Sequence, residues 1–150
     1  MYIRKYEPSD CFYLYRLFFD TVHSINLKDY NEQQVNAWAT NEVDLEKMNR
    51  SFMNHITLVV VSDDCIVGFG DIDQTGYLDY LYVHKDYQRQ GIATMLCDEL
   101  EKNVINNVIT THASITAKPF FMKRGYNLIK EQQVERKGIF LTNFVMEKCL

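Results

Sequence analysis

The run YLDYLYV, from Tyr77 to Val83, is the feature that most constrains the fold of this chain. It is apolar on both faces of its pleat, with one acidic residue, Asp79, inside it. A strand of this kind lies centrally in a sheet and is covered on both sides. We therefore expect a central strand with helices packed against both faces of its sheet.

The surrounding sequence supplies the elements for such a sheet. Helical spacing of apolar residues predicts helices over about residues 11–25, 31–40, 44–53, 90–103 and 116–124. Alternating or β-branched runs predict further strands at about residues 1–7, 55–62, 65–73, 107–114, 126–136 and 138–148. This order predicts an α/β (α+β) fold with a mixed sheet and helices on both faces, in a single domain over residues 1–150.

Bulk composition argues against several classes of function. The net charge of −4 argues against a nucleic-acid partner, and no run approaches the length of a membrane span. The four cysteines form no C-x-x-C pair and the four histidines have no metal-binding spacing, so we expect no metal. The N-terminus lacks the apolar core of a signal peptide, which predicts a cytoplasmic protein with reduced thiols.

The connection after the central strand predicts an anion site. Gln88, Arg89, Gln90 and Gly91 lie where the next helix begins. A helix N-terminus offers unpaired N–H groups and a partial positive charge, and a glycine lets a ligand approach the backbone closely. Arg89 adds a full charge and Thr94 a hydroxyl in the first turn. Together they predict a phosphate site at the helix start.

The usual nucleotide motifs are absent from the sequence. GFGDID, at residues 68–73, lacks the third glycine of the dinucleotide fingerprint and is not followed by a helical pattern. No phosphate-binding loop of the type G-x-x-x-x-G-K-[ST] occurs. The predicted phosphate site is therefore not one for NAD or ATP bound in the usual ways.

Two segments resemble the GNAT superfamily of acyl-CoA-dependent N-acetyltransferases. QRQGIA, at residues 88–93, matches the family's pyrophosphate loop [QR]-x-x-G-x-[GA], and it opens an amphipathic helix after a central strand. AKPFFMKRGY, at residues 117–126, resembles the family segment A-x-x-[FL]-Y-x-K-x-G-F. The resemblance is close over about residues 56–148. It implies a mostly antiparallel sheet that is splayed at its middle.

The resemblance also implies acetyl-CoA as the cofactor, with pantetheine lying in the splayed slot like an added strand. On that pattern the backbones of Leu81, Tyr82 and Val83 contact the thioester and pantetheine. The predicted cofactor-binding residues are Leu81, Tyr82, Val83, Gln88, Arg89, Gln90, Gly91, Ile92, Ala93, Thr94, Ser114 and Phe121. The implied reaction is acetyl transfer to a primary amine of a small molecule or peptide, by direct attack through a tetrahedral intermediate.

Two catalytic residues are expected on the central strand. The N–H of Leu81 is the candidate donor to the oxyanion. Asp79 is expected to share a pleat face with Tyr77, Leu81 and Val83, where burial would raise its pKa toward that of a useful base or amine anchor. The alternative is a structural carboxylate bonded to neighbouring backbone or to a tyrosine.

The expected general acid is missing. The family often has Tyr at the position of Phe121, and phenylalanine cannot donate a proton. Tyr77, Tyr80, His112 or Ser114 would then serve, or the thiolate leaves unassisted. A lone histidine at the position of His112 is more often structural than catalytic, and Ser114 replaces an Asn that the family often has. Loss of this Tyr is the feature that favours an alternative function, a non-catalytic acyl-CoA-binding sensor.

The acceptor amine is expected between the first helices and the last hairpin. His23, Tyr30 and Trp38 are the predicted contacts there, together with Tyr77 and His112. Trp38 is expected either to stack on the amine substrate or to anchor its helix to the sheet. Asn143 and Phe144, on the last strand, would close the other side. A peptide or protein acceptor would need an open groove, and the oligomeric state is expected to be monomer or homodimer.

Overall fold

Every helix and strand expected from the sequence is present in the computed structural model, which describes residues 1–150. The helices are α1 Cys11–Val22, α2 Glu32–Trp38, α3 Leu45–Asn54, α4 Ile92–Glu101 and α5 Lys118–Lys123, with short 3₁₀ turns at Pro8–Asp10 and Asn26–Lys28. The strands are β1 Tyr2–Lys5, β2 Ile56–Ser62, β3 Cys65–Ile72, β4 Tyr77–Val83, β5 Val108–Ser114, β6 Asn127–Arg136 and β7 Ile139–Cys149. No helix combines the length and apolar character that crossing a bilayer requires.

The seven strands form one mixed sheet in the order β1-β2-β3-β4-β5-β7-β6. All neighbours are antiparallel except β4 and β5, which are parallel. The predicted central strand is therefore the fourth of seven and forms half of the parallel pair. This confirms the mixed, mostly antiparallel sheet.

Helices cover both faces of the sheet, as the central strand predicts. Val59 and Val61 of β2 pack in the cluster formed with α1 and α3, whereas Val60 between them packs against α4. Successive side chains of a strand point to opposite faces, so α1 and α3 lie on one face and α4 on the other. Fully buried Leu14 of α1 and Leu96 of α4 represent the two sides of this core.

The parallel pair is short, and this opens the sheet at its middle. Pairing of β4 with β5 is confined to Tyr77 with Thr110 and Leu78 with Thr111. Beyond these residues β4 stays paired with β3 up to Val83, while β5 stays paired with β7 up to Ser114. The two strands therefore diverge toward their C-terminal ends, which confirms the splayed sheet.

A β-bulge in β4 makes the observed side-chain alternation differ from the one expected from the sequence. Gly70 pairs with Leu81 and Ile72 pairs with Leu78, so Asp79 and Tyr80 together lie opposite one residue of β3, Asp71. The extra residue reverses the faces of the residues that follow it. Leu81 packs in the cluster that includes Leu78 on the α4 side, so it does not share a face with Tyr77 as expected.

Tyr80 and Tyr82 occupy the opposite face from Leu81. Both rings contact Phe18 of α1, with ring centroids 5.5 and 4.9 Å apart, respectively. Both also contact Phe69 of β3. Tyr80 and Tyr82 therefore attach β4 to α1.

The glycine that precedes β4, where β4 and β5 are still paired, gives a testable prediction for stability. Gly76 precedes β4 with φ +89°, and a Cβ there would lie 2.6 Å from the carbonyl oxygen of Val108. Gly138 has a similar φ of +79° but open space around it. We expect Gly138→Ala to lower the free energy of unfolding by about 1–2 kcal/mol, from backbone strain alone. We expect Gly76→Ala to cost about 1–3 kcal/mol more, because it also overpacks.

Urea unfolding of both variants and the wild type measures this difference. Equal losses in the two variants would show that the contact with Val108 does not fix the start of β4.

Candidate functional site

Two adjoining cavities fill the gap in the sheet. The first, called here the α4 cavity, is about 540 Å³ and lies between β4, the start of α4, β5 and α5. The second, called the α3 cavity, is about 570 Å³ and lies between α1, the α2–α3 connection, α3, β4 and the β6–β7 hairpin. Five residues line both cavities: Trp38, Asp79, Tyr82, His112 and Ser114. These five mark the junction where a molecule in one cavity would meet a molecule in the other.

The predicted cofactor-binding residues converge on the α4 cavity. All of them except Gln90 line it, and it also takes in Lys123 of α5. Arg89 and Lys123 therefore place two positive charges on its wall. An elongated anionic ligand fits this arrangement better than a neutral one.

The open edge of β4 presents particular backbone groups to the α4 cavity. The N–H of His84 donates to the carbonyl of Val67 on β3 at 2.8 Å. Backbone groups alternate sides along a strand, so Leu81 and Val83 direct theirs away from β3, into the gap. Tyr82 is paired with Phe69 and faces β3. This corrects the expected backbone contact of Tyr82, although Tyr82 is one of the residues that line both cavities.

The carbonyl of Val83 is already occupied by two donors. It accepts from the hydroxyl of Thr21 at 3.1 Å and from the side-chain amide of Gln88 at 2.8 Å. The side chain of Gln88 is therefore folded back onto β4 and shapes the loop. This leaves the N–H of Val83, together with the backbone of Leu81, facing the gap.

The start of α4 offers a row of backbone donors. The first intrahelical bond runs from Met95 to the carbonyl of Gly91, and no side chain caps the helix. The amides of Ile92, Ala93 and Thr94 precede that bond and point out of the helix start. Gly91 has φ +80°, and no atom lies within 4 Å of the place a Cβ would take. The loop is therefore open to an anion, as expected from the sequence.

Asp79 lies on the floor of the junction. Its carboxylate has no hydrogen-bond or ion-pair partner, and the residue is exposed to the cavities because β5 has already diverged from β4. From the sequence we expect Asp79 to be enclosed within the sheet, so its exposed position corrects that prediction. The surrounding protein still displaces much of the water around the carboxylate. This desolvation, reinforced by the charge of Asp71 and opposed by His55, raises the pKa of Asp79 to about 6.

Buried Asp71 and half-buried His55 form a hydrogen-bonded pair behind Asp79. The fully buried Asp71 carboxylate lies 2.7 Å from Nδ1 of His55 and accepts the N–H of Tyr80, at the bulge, at 2.7 Å. The hydrogen bond to Asp71 raises the pKa of His55. Neither Asp71 nor His55 is among the site residues predicted from the sequence. An acidic residue inside the apolar run GFGDID was a signal for Asp71, but no local pattern identifies His55 as its partner.

Four of the five residues predicted to contact the acceptor line the cavities, and one does not. Trp38 and His112 line both cavities, and Tyr30 and Tyr77 line the α3 cavity. His23 lies outside both: its Nε2 is 2.7 Å from the carbonyl of Ala39 and its ring stacks on Phe19. Its geometry is that of a structural residue.

Tyr30 has a structural role as well as lining the α3 cavity. Its hydroxyl donates to the carbonyl of Thr142 at 2.6 Å and accepts the N–H of Ile115 at 2.9 Å. Its ring contacts Trp38 edge-on at 5.3 Å. Tyr30 thereby joins the 3₁₀ turn region, β5 and β7, and it holds Trp38 at the junction.

Phe121 is buried in the wall of the α4 cavity and stacks edge-on with Tyr126 at 4.9 Å. Of the alternative proton donors, Tyr77 and Tyr80 line the α3 cavity, whereas His112 and Ser114 reach the junction. Burial, with the charges of Lys130 and Arg136, lowers the pKa of His112. Its imidazole is therefore neutral at neutral pH.

The charges behind Asp79 predict opposite shifts in two variants. Asp71→Asn removes a negative charge and should lower the pKa of Asp79 below 6. His55→Ala removes a positive charge and should raise it. NMR titration of the ¹³C-labelled Asp79 carboxyl measures both shifts.

Asp64→Asn, in the β2–β3 turn, is the matched control and should leave the Asp79 titration unchanged. Shifts of the same sign in the Asp71 and His55 variants would contradict the assigned electrostatics.

Comparison with known proteins identifies the family. A model of the acetyltransferase (GNAT) domain matches residues 26–148. The N-acetyltransferase YafP of Escherichia coli (strain K12), described as uncharacterized, is 35% identical over 145 residues, which cover 96% of this chain and 93% of YafP.

Solved structures agree with the family match. A GCN5-related N-acetyltransferase from Rhodopseudomonas palustris is 32% identical, with a TM-score of 0.94, covering 99% of this chain and 95% of that one. The PaiA N-acetyltransferase of Thermoplasma acidophilum, solved in complex with coenzyme A, is 19% identical and shares the fold, with a TM-score of 0.78 over 99% of this chain and 98% of that one. The chain therefore belongs to the GNAT family of acetyltransferases.

Proposed function

We propose that the protein transfers an acetyl group from acetyl-CoA to a primary amine of a small molecule. The observation that carries this proposal is the junction of the two cavities. There the open edge of β4 and the start of α4 face one cavity, and an unpartnered carboxylate, Asp79, faces both. Family membership and the coenzyme A bound to the PaiA neighbour support the choice of cofactor.

The residues of the α4 cavity fit acetyl-CoA, which would supply an acyl group activated as a thioester. The backbone of Leu81 and the N–H of Val83 are free to pair with the amides of pantetheine, as a neighbouring strand would. The amides at residues 91–94 and the charge of Arg89 fit a pyrophosphate. Phe121 contributes an apolar wall beside the slot.

Asp79 is the proposed base. A protonated amine has no lone pair and must lose a proton before it can attack a carbonyl carbon. With a pKa of about 6, the Asp79 carboxylate is ionised at neutral pH, so it attracts an ammonium ion and can accept its proton. Desolvation, reinforced by the charge of Asp71, keeps this pKa above the ordinary range of a carboxyl.

The N–H of Leu81 is the proposed donor to the carbonyl oxygen on which negative charge develops. It follows the bulge and faces the gap, next to Asp79 in the chain. One such donor is typically worth about 10²–10³ in rate. Because the bulge is fixed by the bond from Tyr80 to Asp71, this donor is held in place before a ligand binds.

The α3 cavity supports a small acceptor over a peptide. Three contacts tie the α2 region to the β6–β7 hairpin across it: Tyr30 to Thr142, Gln34 to Phe140 at 2.9 Å, and Glu42 to Lys137 at 3.5 Å. Such cross-links bound a compact pocket and leave little room for an extended chain. A protein or peptide acceptor is the less favoured alternative.

A non-catalytic acyl-CoA sensor is the alternative from a different class. Phe121 is the observation in its favour, because this residue cannot protonate a departing thiolate. Ser114 and His112 reach the same junction and are the residues that can assist in its place. The unpartnered Asp79 has no evident use in a sensor, and it favours the enzyme.

We also propose one acetyltransferase domain over residues 1–150, located in the cytoplasm. A single sheet connects β1 to β6, and the family model spans 26–148. All four cysteines are free thiols, which supports a reducing compartment.

The loop assignment predicts that Gly91→Glu abolishes acetyl-CoA binding. The substitution places a carboxylate among the helix-start amides and blocks close approach of the pyrophosphate. Gly138→Glu is the matched control, because Gly138 has nearly the same φ and equally open surroundings. Isothermal titration calorimetry should show wild-type affinity for the control and none for Gly91→Glu. Unchanged affinity in Gly91→Glu would overturn the loop assignment.

The base assignment predicts that Asp79→Asn lowers kcat by about 10²-fold or more, with acetyl-CoA affinity retained. The wild-type kcat/KM should rise with pH through about 6, as Asp79 of the free enzyme loses its proton, and the variant should lack this rise. Free-thiol release across pH 5–9 measures it, with Asp63→Asn in the β2–β3 turn as control. A wild-type pH profile in Asp79→Asn would exclude Asp79 as the base.

A further inference from the structure

The two buried side-chain polar atoms of the chain that lack a hydrogen-bond partner belong to residues that line the α3 cavity. They are the hydroxyl oxygen of Tyr15, on α1, and Oδ1 of Asn143, on β7. Buried polar groups in folded proteins are nearly always paired, so an unpaired one calls for an explanation. Both residues line the same cavity, so a ligand that enters this part of the cavity wall is a candidate source of the missing partners.

Asn143 lies at the inner end of this cavity. It is in register with Ser114 of β5, one of the residues shared by the two cavities. Its free oxygen can only accept, so its missing partner is an N–H or O–H group. Together with the Asp79 carboxylate, it makes the inner end of the cavity suited to an amine.

Arg136 places a positive charge in the same cavity as the negatively charged Asp79. Its guanidinium donates to the carbonyl of Glu135 at 3.0 Å and has no carboxylate partner. The two other acidic residues of the cavity wall are engaged elsewhere: Glu42 pairs with Lys137 at 3.5 Å, and Asp44 accepts the backbone N–H of Lys47 at 3.1 Å at the start of α3. The guanidinium is thus a free fork-shaped donor, the geometry that binds carboxylates and phosphates.

The hairpin sets the spacing between these two ends. Asn143 pairs with Gln132, and Arg136 lies four residues farther along β6. At about 3.3 Å per residue this is roughly 13 Å of strand, which the long Arg136 side chain can shorten. Burial is the main cause of the lowered pKa of His112, and the charges of Lys130 and Arg136 add to it, which agrees with an Arg136 side chain near the junction. Apolar Val134 and Leu141 lie between the two ends.

We propose that the acceptor is a primary amine that carries an anionic group, a carboxylate or a phosphate, beyond an apolar or aromatic segment. The amine lies at Asp79 and Asn143, and the anionic group lies at Arg136. This inference rests on the proposed acetyltransferase function for its reaction, but not for the anion site itself.

Matched acceptors test the inference. Benzylamine, 4-(aminomethyl)benzoate and 4-(aminomethyl)phenylphosphonate share an aromatic ring and a primary amine but differ in the anionic group. With acetyl-CoA and a free-thiol readout, we expect kcat/KM to be at least about tenfold higher for an anionic acceptor than for benzylamine. The better of the two anionic acceptors distinguishes carboxylate from phosphate.

Arg136→Gln should remove this preference, mainly by raising KM for the anionic acceptor, so that within this variant kcat/KM for the anionic acceptor approaches that for benzylamine. Arg50→Gln, on α3 and outside both cavities, is the matched control and should behave as wild type. Preference for benzylamine, or an unchanged preference in Arg136→Gln, would overturn the inference while leaving the acetyltransferase intact. Thiol release with none of the three acceptors would count against the proposed function instead.

A binding measurement separates the anion site from turnover. Benzoate and phenylphosphonate, titrated into ¹⁵N-labelled protein, should shift the signals of Arg136 and Asn143 in the wild type and not in Arg136→Gln, whereas neutral benzamide should be without effect. Equal shifts by benzamide, or no shift by either anion, would exclude an anion site at Arg136.

Discussion

The buried carboxylate of Asp71 is the interaction on which the rest of the site depends. A carboxylate removed from water is costly unless it is paired. Here one oxygen pairs with His55 and the other accepts the N–H of Tyr80. The second bond fixes the bulge in β4, and the bulge decides which side chains of that strand face each helix. It also places Asp79 at the gap and Leu81 just beyond it.

The gap itself follows from a parallel pair only two residues long. Where β5 leaves, one edge of β4 is unpaired, and an unpaired edge can bind an extended ligand through its backbone. The same strand then ends beside the uncapped start of α4. One short departure from regular sheet pairing therefore produces a strand edge, an anion site and an accessible carboxylate side by side.

Much of this arrangement could be predicted from local patterns. The apolar run from Tyr77 to Val83 predicted a central strand covered on both faces, and Gly91 in its polar connection predicted an open helix start. The bulge could not be predicted, because it depends on a bond from Tyr80 to a side chain nine residues earlier in the chain. That shift reversed the expected face of Leu81. Likewise His23 follows α1, but stacking on Phe19 holds it away from the cavities.

We propose that the open edge of β4 and the start of α4 together bind acetyl-CoA. The most direct test is the change in backbone amide signals of ¹⁵N-labelled protein during titration with coenzyme A. We expect saturable shifts at Leu81 and Val83 and at residues 91–94, with a common dissociation constant, and little change at the N–H of Tyr82, which faces β3. Shifts confined to the β6–β7 hairpin, or no saturable shift at residues 91–94, would contradict it.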